Sequence, residues 1–592
     1  MSPLTSATTV AQRLTLRRRA LDGAVVLAIT IVIGLISQRW TGLDTPDSSF
    51  YLTLGLHGSA ITDRVAEPYY AWTRLGAILP MRALTTLFGT FPGLEVYRLL
   101  LMLACVTGAF LTLRRFTGRT WSTLLTTMIM LSTVVLSYLG NPYLTRSVLA
   151  GTFLIIAIAA VTYVNAGRLR LPTQRAAATG GALAGIVIGW LVMTNPYGAI
   201  LAGLIWLSLL LAATLKQRQL LRQLPSTLLT GLLTSLITWG LFIAAGRAAF
   251  PRLNWLQTYL DWNARLTYSD FASPEPVWLA DISLLVPVAI LITTTILCVF
   301  KRKSLPAQLG FLLSVATIAL TFALVPLMGG ITLEAPMYQA MLWPPLLLAA
   351  ACSSLAVAGK PPLTLPVLLA AVLAILAVAL AGRFPGVLSP FTGILLAVVM
   401  VVACSVLWLW GAASARSPAT SAIAAVAGLA VLLAGSQLLQ NSRRDIGLYY
   451  LSPYANAYLP NAIEAKVRTA VNAQDFVLAN TNPDDQIQLW VGGDWAGGDR
   501  ELYVVAGMQM WGPNIATIDP ILDPAKAADL SRTQPSVIEM VAPSMPQVLE
   551  FWASLPPEAN ANAPNCYDFT WPDETIKTGH LCLARLSWSQ PQ

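Results

Sequence analysis

Two aspartates, Asp44 and Asp47, follow the first long apolar segment of the chain, three positions apart. An ionised carboxylate at such a place can take the proton of an acceptor hydroxyl group and so act as a general base. Asp47 is the preferred base, because Asp44 stands closer to the apolar segment. The alternatives are that Asp44 is a plain surface residue and that Asp47 caps a following helix that runs to Leu56.

The stretch from residue 69 to residue 87 combines an apolar side with two arginines, Arg74 and Arg82. This pattern predicts a helix that lies in the membrane interface, and Pro80 is expected to break or kink it. A guanidinium group presents paired N–H donors to phosphate oxygens, so both arginines are candidate ligands of a lipid headgroup phosphate. The alternative for Arg74 is a side chain whose stem follows apolar surface while its charge stays in water.

Other polar segments supply further candidate contacts. The segment 140–146 holds no carboxylate, and it offers Arg146 to a substrate. Arg265 lies in an aromatic-rich loop, a composition that suits sugar stacking and phosphate binding and also an ordinary interfacial aromatic belt. Glu67, in the same long loop as the aspartates, and Glu334, alone on a short loop, are candidate acceptor contacts. Plain exposure to water is the alternative for Glu334.

Composition places these residues in a membrane protein. Of the 592 residues, 56% are hydrophobic and only 11% are charged, with a mean hydropathy of +0.64. Soluble proteins average about 25% charged residues, so this chain cannot cover a water-facing surface of its size. Runs of about 20 apolar residues suffice to cross a bilayer. Thirteen candidates lie at 20–39, 94–113, 120–139, 146–165, 177–194, 197–215, 226–246, 278–300, 307–326, 337–358, 362–382, 390–410 and 418–438.

The charge changes sign near residue 438. Residues 1–438 carry 28 Lys and Arg against 11 Asp and Glu, a net +17, whereas residues 439–592 carry 9 against 17, a net −8. The overall charge of +9 therefore comes from membrane topology, and nucleic-acid binding is disfavoured. Basic clusters before the first span and after every second span predict a cytoplasmic N-terminus. Thirteen spans then place the loop 40–93 and a soluble domain of residues 439–592 outside. A retained first helix is preferred over a cleaved signal peptide.

The C-terminal domain mixes helical and strand patterns, which predicts a small α/β domain. The predicted helices are 461–473 and 525–530, and the strand-like runs are 476–479, 487–491, 502–505 and 537–540. Cys566 and Cys582 are its only cysteines. A disulfide between them would stabilise the domain by about 3 kcal/mol in an oxidising compartment, and two buried thiols are the alternative. A sugar-facing patch could be formed by Trp490, Trp495, Trp511 and the Gly-rich stretch 492–498. The alternative is that these residues belong to the hydrophobic core and to a turn.

The order of these pieces resembles the GT-C superfamily of membrane glycosyltransferases, which includes protein O-mannosyltransferases, aminoarabinose transferases and actinobacterial arabinosyltransferases. The spans match over residues 10–438, and the matching residues are Asp47-Ser-Ser-Phe-Tyr51, Tyr69, Tyr70, Arg74-Leu-Gly76 and Pro80. The resemblance implies a polytopic α-helical fold of about thirteen spans and a sugar donor linked to polyprenyl phosphate. It further implies that Asp47 or Asp44 is catalytic. The implied donor contacts are Arg74, Arg82, Arg146, Tyr51, Tyr69, Tyr70 and Arg265.

Many members of that superfamily carry a second acidic site in the next outward loop, which here is the carboxylate-free segment 140–146. We therefore expect a metal-independent, inverting transfer of a sugar to an envelope glycan, glycolipid or protein acceptor. The expected place is the outer face of a bacterial cytoplasmic membrane, with the donor, the acceptor and membrane lipid as partners. One rival is a flippase or other transporter of lipid-linked glycans, which predicts charges within spans and internal repeats. The other is a non-catalytic protein of envelope assembly.

Overall fold

A bundle of long helices occupies the chain up to residue 441, and a domain with a mixed sheet follows. The computed structural model describes residues 4–37, 51, 54–56, 70–140, 144–251, 253–265, 285–328, 340–359, 364–381, 389–414, 417–441, 462–482, 484–492, 530–571 and 577–589.

The helices of the bundle begin and end as follows. They are α1 (Leu4–Ile36), α2 (Leu75–Phe88), α3 (Thr90–Arg114), α4 (Arg119–Met130), α5 (Thr133–Gly140), α6 (Thr145–Tyr163), α7 (Gln174–Val192), α8 (Pro196–Lys216), α9 (Leu224–Ala249), α10 (Trp255–Arg265), α11 (Leu285–Phe300), α12 (Leu305–Met328), α13 (Trp343–Ala358), α14 (Leu365–Ala381), α15 (Pro390–Ala413) and α16 (Pro418–Asn441). A short hairpin of β1 (Val164–Asn165) and β2 (Arg168–Leu169) joins α6 to α7.

Each of the thirteen predicted spans overlaps a helix, and their residues 38–39, 278–284, 337–339, 362–363 and 382 lie outside the described residues. Within the described ranges, eight helices are long and apolar enough to cross a membrane: α1, α3, α6, α7, α8, α9, α15 and α16. The pair α4 and α5 is a ninth if counted as one span bent by 66°. The remaining four predicted spans fall on the shorter apolar helices α11, α13 and α14 and on the apolar stretch Leu305–Thr321 of α12. The prediction of a polytopic helical fold is confirmed.

Helix α13 lies at the centre of the bundle. All sixteen of its residues are buried, because it packs against α12 on one side and α16 on another. A helix that is almost entirely apolar must be enclosed by protein or lipid. Its few polar side chains then need hydrogen-bond partners. Ser354 meets this need by donating its hydroxyl hydrogen to the backbone oxygen of Ala425 in α16, at 2.7 Å.

Helices α7 and α9 touch along a row of glycines, Gly181, Gly185 and Gly189. A Cβ added at any of the three would lie only 2.1 to 2.6 Å from a backbone oxygen of α9. Thr230 and Thr234 of α9 donate hydrogen bonds to carbonyl oxygens of α7 at 3.0 and 2.9 Å. Only 6% of the apolar window of α9 is buried, so this seam is the main attachment of that helix. Close backbone approach through small residues is a common way for helices to associate in lipid.

Substitution of Gly185 by leucine should separate α9 from α7. The new side chain has no room, because its Cβ would lie 2.1 Å from the Gly231 carbonyl oxygen. We expect a loss of about 1–3 kcal/mol in the free energy of unfolding, measured by thermal or denaturant unfolding in detergent. Gly240→Leu in α9 is the matched control, since a Cβ there meets no atom within 4 Å. Equal destabilisation by the two variants would contradict the seam.

Within its described residues, the C-terminal domain is a five-stranded sheet between helices. Its strands are β3 (Ile487–Val491), β4 (Val537–Ala542), β5 (Ala559–Ala561), β6 (Asn565–Trp571) and β7 (Lys577–Trp588). Strand β3 runs parallel to β4, the long strand β7 runs antiparallel to β4, and both β6 and β5 pair with the other edge of β7. Helix α17 (Ala462–Asn480) packs on one face, α19 (Met545–Ala553) packs on the other, and α18 (Leu530–Thr533) precedes β4. The predicted α/β domain is confirmed.

Some of the local predictions in this domain are wrong and others are confirmed. The strand-like run 476–479 is wrong, because these residues form the last turn of α17, whose apolar side faces the sheet. Trp490 is not sugar-facing, since it is 3% exposed and stacks on Phe551 with the ring centroids 4.1 Å apart. Cys566 and Cys582 are directly opposed in the β6–β7 pair and are joined by a disulfide. Trp495, Trp511 and the run 502–505 lie outside the described residues.

A carboxylate lies in the apolar interior of this sheet. Glu539, in the middle of β4, is completely buried, and its carboxylate oxygens accept no hydrogen bond from the described residues. Its cross-strand partners are Leu489 and Leu583. Burial raises the pKa of Glu539 to about 8, because water no longer stabilises the charged form.

This carboxylate should make the C-terminal domain less stable as the pH rises. The unfolded chain releases the Glu539 proton near pH 4.5, whereas the folded domain keeps it until about pH 8. Stability should therefore fall between these values by a few kcal/mol at most, and the loss should be complete above pH 8. Glu539→Gln should flatten this dependence in thermal unfolding at pH 5 and pH 8, whereas the exposed Glu558→Gln should leave it intact. An unchanged pH dependence in Glu539→Gln would exclude this origin.

Candidate active site

The ends of several helices meet in one apolar cluster, called the Trp72 cluster here. It consists of Tyr51, Leu54, Trp72, Leu75, Ala77, Ile78, Leu144, Met193, Phe250, Leu253 and Trp255. The cluster brings together the first long loop, the start of α6, the end of α7 and the connection from α9 to α10. Trp255 stacks on Tyr259 at 5.1 Å and meets the edge of Trp239 at 5.7 Å between centroids. These are the segments from which the sequence predicts a site.

Helix α2 docks on the end of α7 through the backbone of Gly76. The Gly76 amide donates to the Met193 carbonyl oxygen at 2.9 Å, and the Trp190 indole donates to the Gly76 carbonyl oxygen at 2.8 Å. A Cβ on Gly76 would lie 2.3 Å from the hydroxyl oxygen of Thr194, so only glycine allows this approach.

The same contact explains why Pro80 does not break the helix. We expected a break or kink, yet α2 continues from Leu75 to Phe88. Proline lacks the N–H that would bond to the carbonyl four residues earlier, which here belongs to Gly76. The Trp190 indole supplies the missing donor from another helix. The cost of proline is therefore offset by a tertiary hydrogen bond.

The two predicted arginines of this segment lie on either side of the docking point. Arg74 is half-buried directly before α2, and its carbonyl oxygen accepts the Ala77 and Ile78 amides at 3.0 and 3.1 Å. Arg82 lies with its guanidinium over the Phe250 ring at 5.7 Å. The preceding residue of the chain, Thr73, is fixed through its carbonyl oxygen by the Trp255 indole at 2.7 Å. Arg74 is thus held between α7 and α10.

Arg146 is the most unusual charge at this end of the bundle. It lies in the first turn of α6, is only 2% exposed, and stacks its guanidinium over the Tyr97 ring at 4.6 Å. The Tyr97 hydroxyl in turn lies 3.1 Å from the Ser147 hydroxyl. The Arg146 Nη2 and the neighbouring Thr145 Oγ1 are buried and form no hydrogen bond with the described residues.

The start of α6 adds to this positive site. Helix α6 begins after Leu144, and no described side chain caps it, so among the described residues its first amides have no side-chain acceptor. Helix N-termini carry partial positive charge and bind anions, phosphate above all. A buried guanidinium with an unused donor at such an end has the donor set that an oxyanion requires. The arrangement suits a phosphate group.

Arg98, by contrast, is saturated. It contacts both carboxylate oxygens of Glu95 at 2.6 and 2.9 Å, the Ser37 hydroxyl at 2.8 Å and the Gly34 carbonyl at 3.0 Å. It therefore fastens α3 to α1 and has a structural task. Our sequence reasoning did not single out Arg98 or Tyr97. The signal was present, because a Glu and an Arg three residues apart stand at the start of an apolar helix.

The other predicted residues are only partly covered. Tyr51 is 1% exposed within the Trp72 cluster, which gives it a packing role, and its sugar contact stays a prediction. The backbones of Tyr70 and Arg265 lie at the start of a 3₁₀ turn and at the end of α10. Asp44, Asp47, Glu67, Tyr69 and Glu334 lie outside the described residues. The structure therefore brings together Arg74, Arg82 and Tyr51, with Arg146 beside the same cluster.

The described part of the chain contains no group of three His, Cys, Asp or Glu side chains that could hold a metal ion. The two aspartates that matter most for a metal lie outside it. Metal independence accordingly stays a prediction, and it is testable with a chelator.

A helical membrane bundle followed by a C-terminal α/β domain is also the architecture of a solved member of the GT-C superfamily, and this chain shares its fold. The resemblance stated from the sequence is confirmed at the level of fold.

The chain aligns over 97% of its length, and over 99% of the other chain, with the crystal structure of ArnT from Cupriavidus metallidurans bound to undecaprenyl phosphate. The identity is 14% and the TM-score is 0.50. The apo form of that protein aligns with a TM-score of 0.46 at 13% identity, over 96% and 98% of the two chains. An oligosaccharyltransferase from Archaeoglobus fulgidus, tethered to an acceptor peptide, aligns over 87% of this chain and 68% of its own, with 14% identity and a TM-score of 0.38. No family model and no curated protein matches the sequence.

Proposed function

We propose that this protein is an inverting glycosyltransferase that moves a sugar from a polyprenyl-phosphate donor to an acceptor of the cell envelope. The observation that carries the proposal is the buried Arg146, whose Nη2 lacks a hydrogen-bond partner among the described residues at the uncapped start of α6. The GT-C fold supports it, and so does the undecaprenyl phosphate held by ArnT. The acceptor would be a glycan, a glycolipid or a protein.

The roles follow from the chemistry of the transfer. The acceptor oxygen attacks the anomeric carbon while the bond from that carbon to the phosphate oxygen breaks, so polyprenyl phosphate leaves as an anion. Arg146 would stabilise the negative charge of the departing phosphate, with Arg74 as a second donor. Asp47 or Asp44 would take the acceptor proton. Because the leaving group is already stabilised as an anion, no acid is required to protonate it.

The aspartates provide the first test. Asp47→Asn should lower sugar transfer from a radiolabelled lipid-linked donor by about 10²–10⁴-fold if Asp47 is the base, and Asp44→Asn should do so if Asp44 is. Asp261→Asn, which changes an exposed aspartate of α10, is the matched control and should leave turnover unchanged. Unchanged turnover in both single variants and in the double variant would reject the proposed mechanism. Turnover that persists in excess chelator would support metal independence.

We also propose an N-terminus in the cytoplasm of a bacterium and a C-terminal domain outside the cytoplasmic membrane. The Cys566–Cys582 disulfide supports this orientation, because disulfides persist in oxidising compartments. The arginines around Asp22, which are Arg114 at the end of α3 and Arg119 at the start of α4, support it from the other side of the membrane. A membrane-impermeant maleimide should label a single cysteine introduced at the exposed Glu558 position in intact spheroplasts. Absence of labelling would contradict this orientation and indicate the opposite one.

A further inference from the structure

A large cavity, here called the basic cavity, opens at the end of the bundle where the apolar part of α1 (Arg19–Ile36) begins and α3 ends. It has a volume of about 1010 Å³ and lies between α1, α3, α4 and the turn of the β1–β2 hairpin. Its charged lining comprises three arginines, Arg19, Arg114 and Arg115, and one carboxylate, Asp22. Nothing in the proposed sugar transfer uses this space.

The single carboxylate is already occupied. Asp22 accepts a hydrogen bond from Arg119 Nε at 2.5 Å, and Arg114 Nε lies 3.5 Å from its other oxygen. Arg114 also donates to the Thr117 carbonyl oxygen at 3.0 Å. The positive charge of Arg115 consequently has no carboxylate left to balance it among the lining residues.

Arg115 is held in place without being neutralised. Its carbonyl oxygen accepts the Gly167 amide of the hairpin at 2.8 Å, which fixes its backbone. Its Nε is buried and forms no hydrogen bond with the described residues. Burial lowers the pKa of Arg115, and the nearby charges of Arg170 and Arg114 act in the same direction. Such a site gains stability when an anion binds in it.

The uncharged lining has a polar part, with Thr107, Thr117, Thr120 and Asn165, and an apolar part. Val26 of α1, Phe110 and Leu111 of α3, and Phe116 beyond the end of α3 form the walls next to the arginines. A cavity with arginines at the level of the lipid headgroups and an apolar wall toward the bilayer matches a phospholipid, which has the same division. A free inorganic anion would use only the charged part.

The basic cavity is separate from the candidate active site. Arg98, at the outer end of α3, and Arg115 are seventeen residues apart, which corresponds to about 25 Å along a helix. The phosphate proposed at Arg146 therefore cannot reach Arg115. We propose that the basic cavity binds an anionic phospholipid, with the lipid phosphate at Arg115 and Arg114 and an acyl chain along the apolar wall.

The test is native mass spectrometry of the full-length protein after delipidation in detergent. Dioleoylphosphatidylglycerol should bind, and the zwitterionic dioleoylphosphatidylcholine should bind more weakly. Arg115→Gln should lower the affinity for the anionic lipid about fivefold, as expected for loss of one cationic contact at a membrane surface. The matched control is Arg168→Gln, which removes an exposed charge from the neighbouring hairpin outside the cavity and should have no effect.

A second variant separates the lipid from a free anion and from a folding defect. A Cβ on Gly23 meets no atom within 4 Å, so Gly23→Leu adds bulk to the cavity without a clash. It should weaken binding of phosphatidylglycerol and leave the melting temperature of the lipid-free protein unchanged. The proposal is overturned if inorganic phosphate raises the melting temperature while phosphatidylglycerol does not bind. It is also overturned if Arg115→Gln and Arg168→Gln bind the lipid equally well.

Discussion

Replacing Arg146 by glutamine should lower the turnover of sugar transfer by about a hundredfold or more, the usual consequence of losing a preorganised donor to a developing oxyanion. The reason is specific to its location. A buried guanidinium acts in a medium of low dielectric constant, where its attraction for a departing phosphate is much stronger than in water. Arg146→Lys should recover only part of the turnover, because a lysine keeps the charge but loses the flat stacking on Tyr97 and the paired donors.

Single-turnover assays with a lipid-linked sugar donor would measure the effect on the chemical step. Arg247→Gln is the matched control, since Arg247 is an exposed arginine in the last turn of α9, at the same end of the bundle. Both variants should remain folded by thermal unfolding. If they lose activity to the same small extent, Arg146 does not stabilise the leaving phosphate.

Substitution of Gly76 by alanine should undock α2 and remove most of the transfer activity. The added methyl group would lie 2.3 Å from the Thr194 hydroxyl oxygen and 2.7 Å from the Trp190 carbonyl oxygen. The backbone of α7 cannot move without disturbing its own helix, so α2 must shift and lose its hydrogen bond to Met193. We expect a loss of about 1–3 kcal/mol in the free energy of unfolding. Gly240→Ala, at an open position of α9, should leave both stability and activity unchanged.

A double substitution would test the same docking point more finely. Trp190→Phe should leave the Gly76 carbonyl oxygen buried without a donor, at a cost of about 1–3 kcal/mol. Pro80→Ala introduces an amide four residues after Gly76, and this amide can bond to the same oxygen. The double variant should therefore be more stable than Trp190→Phe alone. Simple additivity of the two single effects would show that Trp190 does not stand in for the missing amide.

The span pattern could be predicted because lipid imposes it residue by residue. A helix that crosses a bilayer must be apolar over its whole length, so hydropathy alone placed all thirteen segments on observed helices. The helix break considered at Pro80 is absent for the opposite reason. The donor that rescues its helix is Trp190, more than a hundred positions away, and no local pattern announces such a partner.

In the C-terminal domain the errors came from short segments. Four apolar residues, 476–479, fit a strand as well as a helix. They are helical because they form the end of the amphipathic helix α17. Strands β6 and β7 were not among the predicted strands. The alternation of Tyr567 and Phe569 with polar residues was the missed signal of a half-buried strand.

The arginines of the candidate site could be predicted from the sequence, whereas the contacts that hold them in place could not. Arg74, Arg82 and Arg146 could be selected because they stand in polar segments between apolar runs and a guanidinium group suits phosphate. The buried stacking of Arg146 on Tyr97 could not be foreseen, since Tyr97 lies in α3, far along the chain. The same holds for the Thr73–Trp255 contact, which joins segments about 180 residues apart. The catalytic role of Asp44 or Asp47 stays a prediction.

The bonds around Gly76 also have a mechanical consequence. Helix α2 is tied to α7 through Gly76 and to α10 through Thr73, and the glycine seam ties α7 to α9. These four helices are therefore linked to one another, and none of them can move away from the bundle alone. A lipid with a long tail would have to slide in along another side of the bundle. The four linked helices would then form a rigid surface against which the lipid phosphate is positioned.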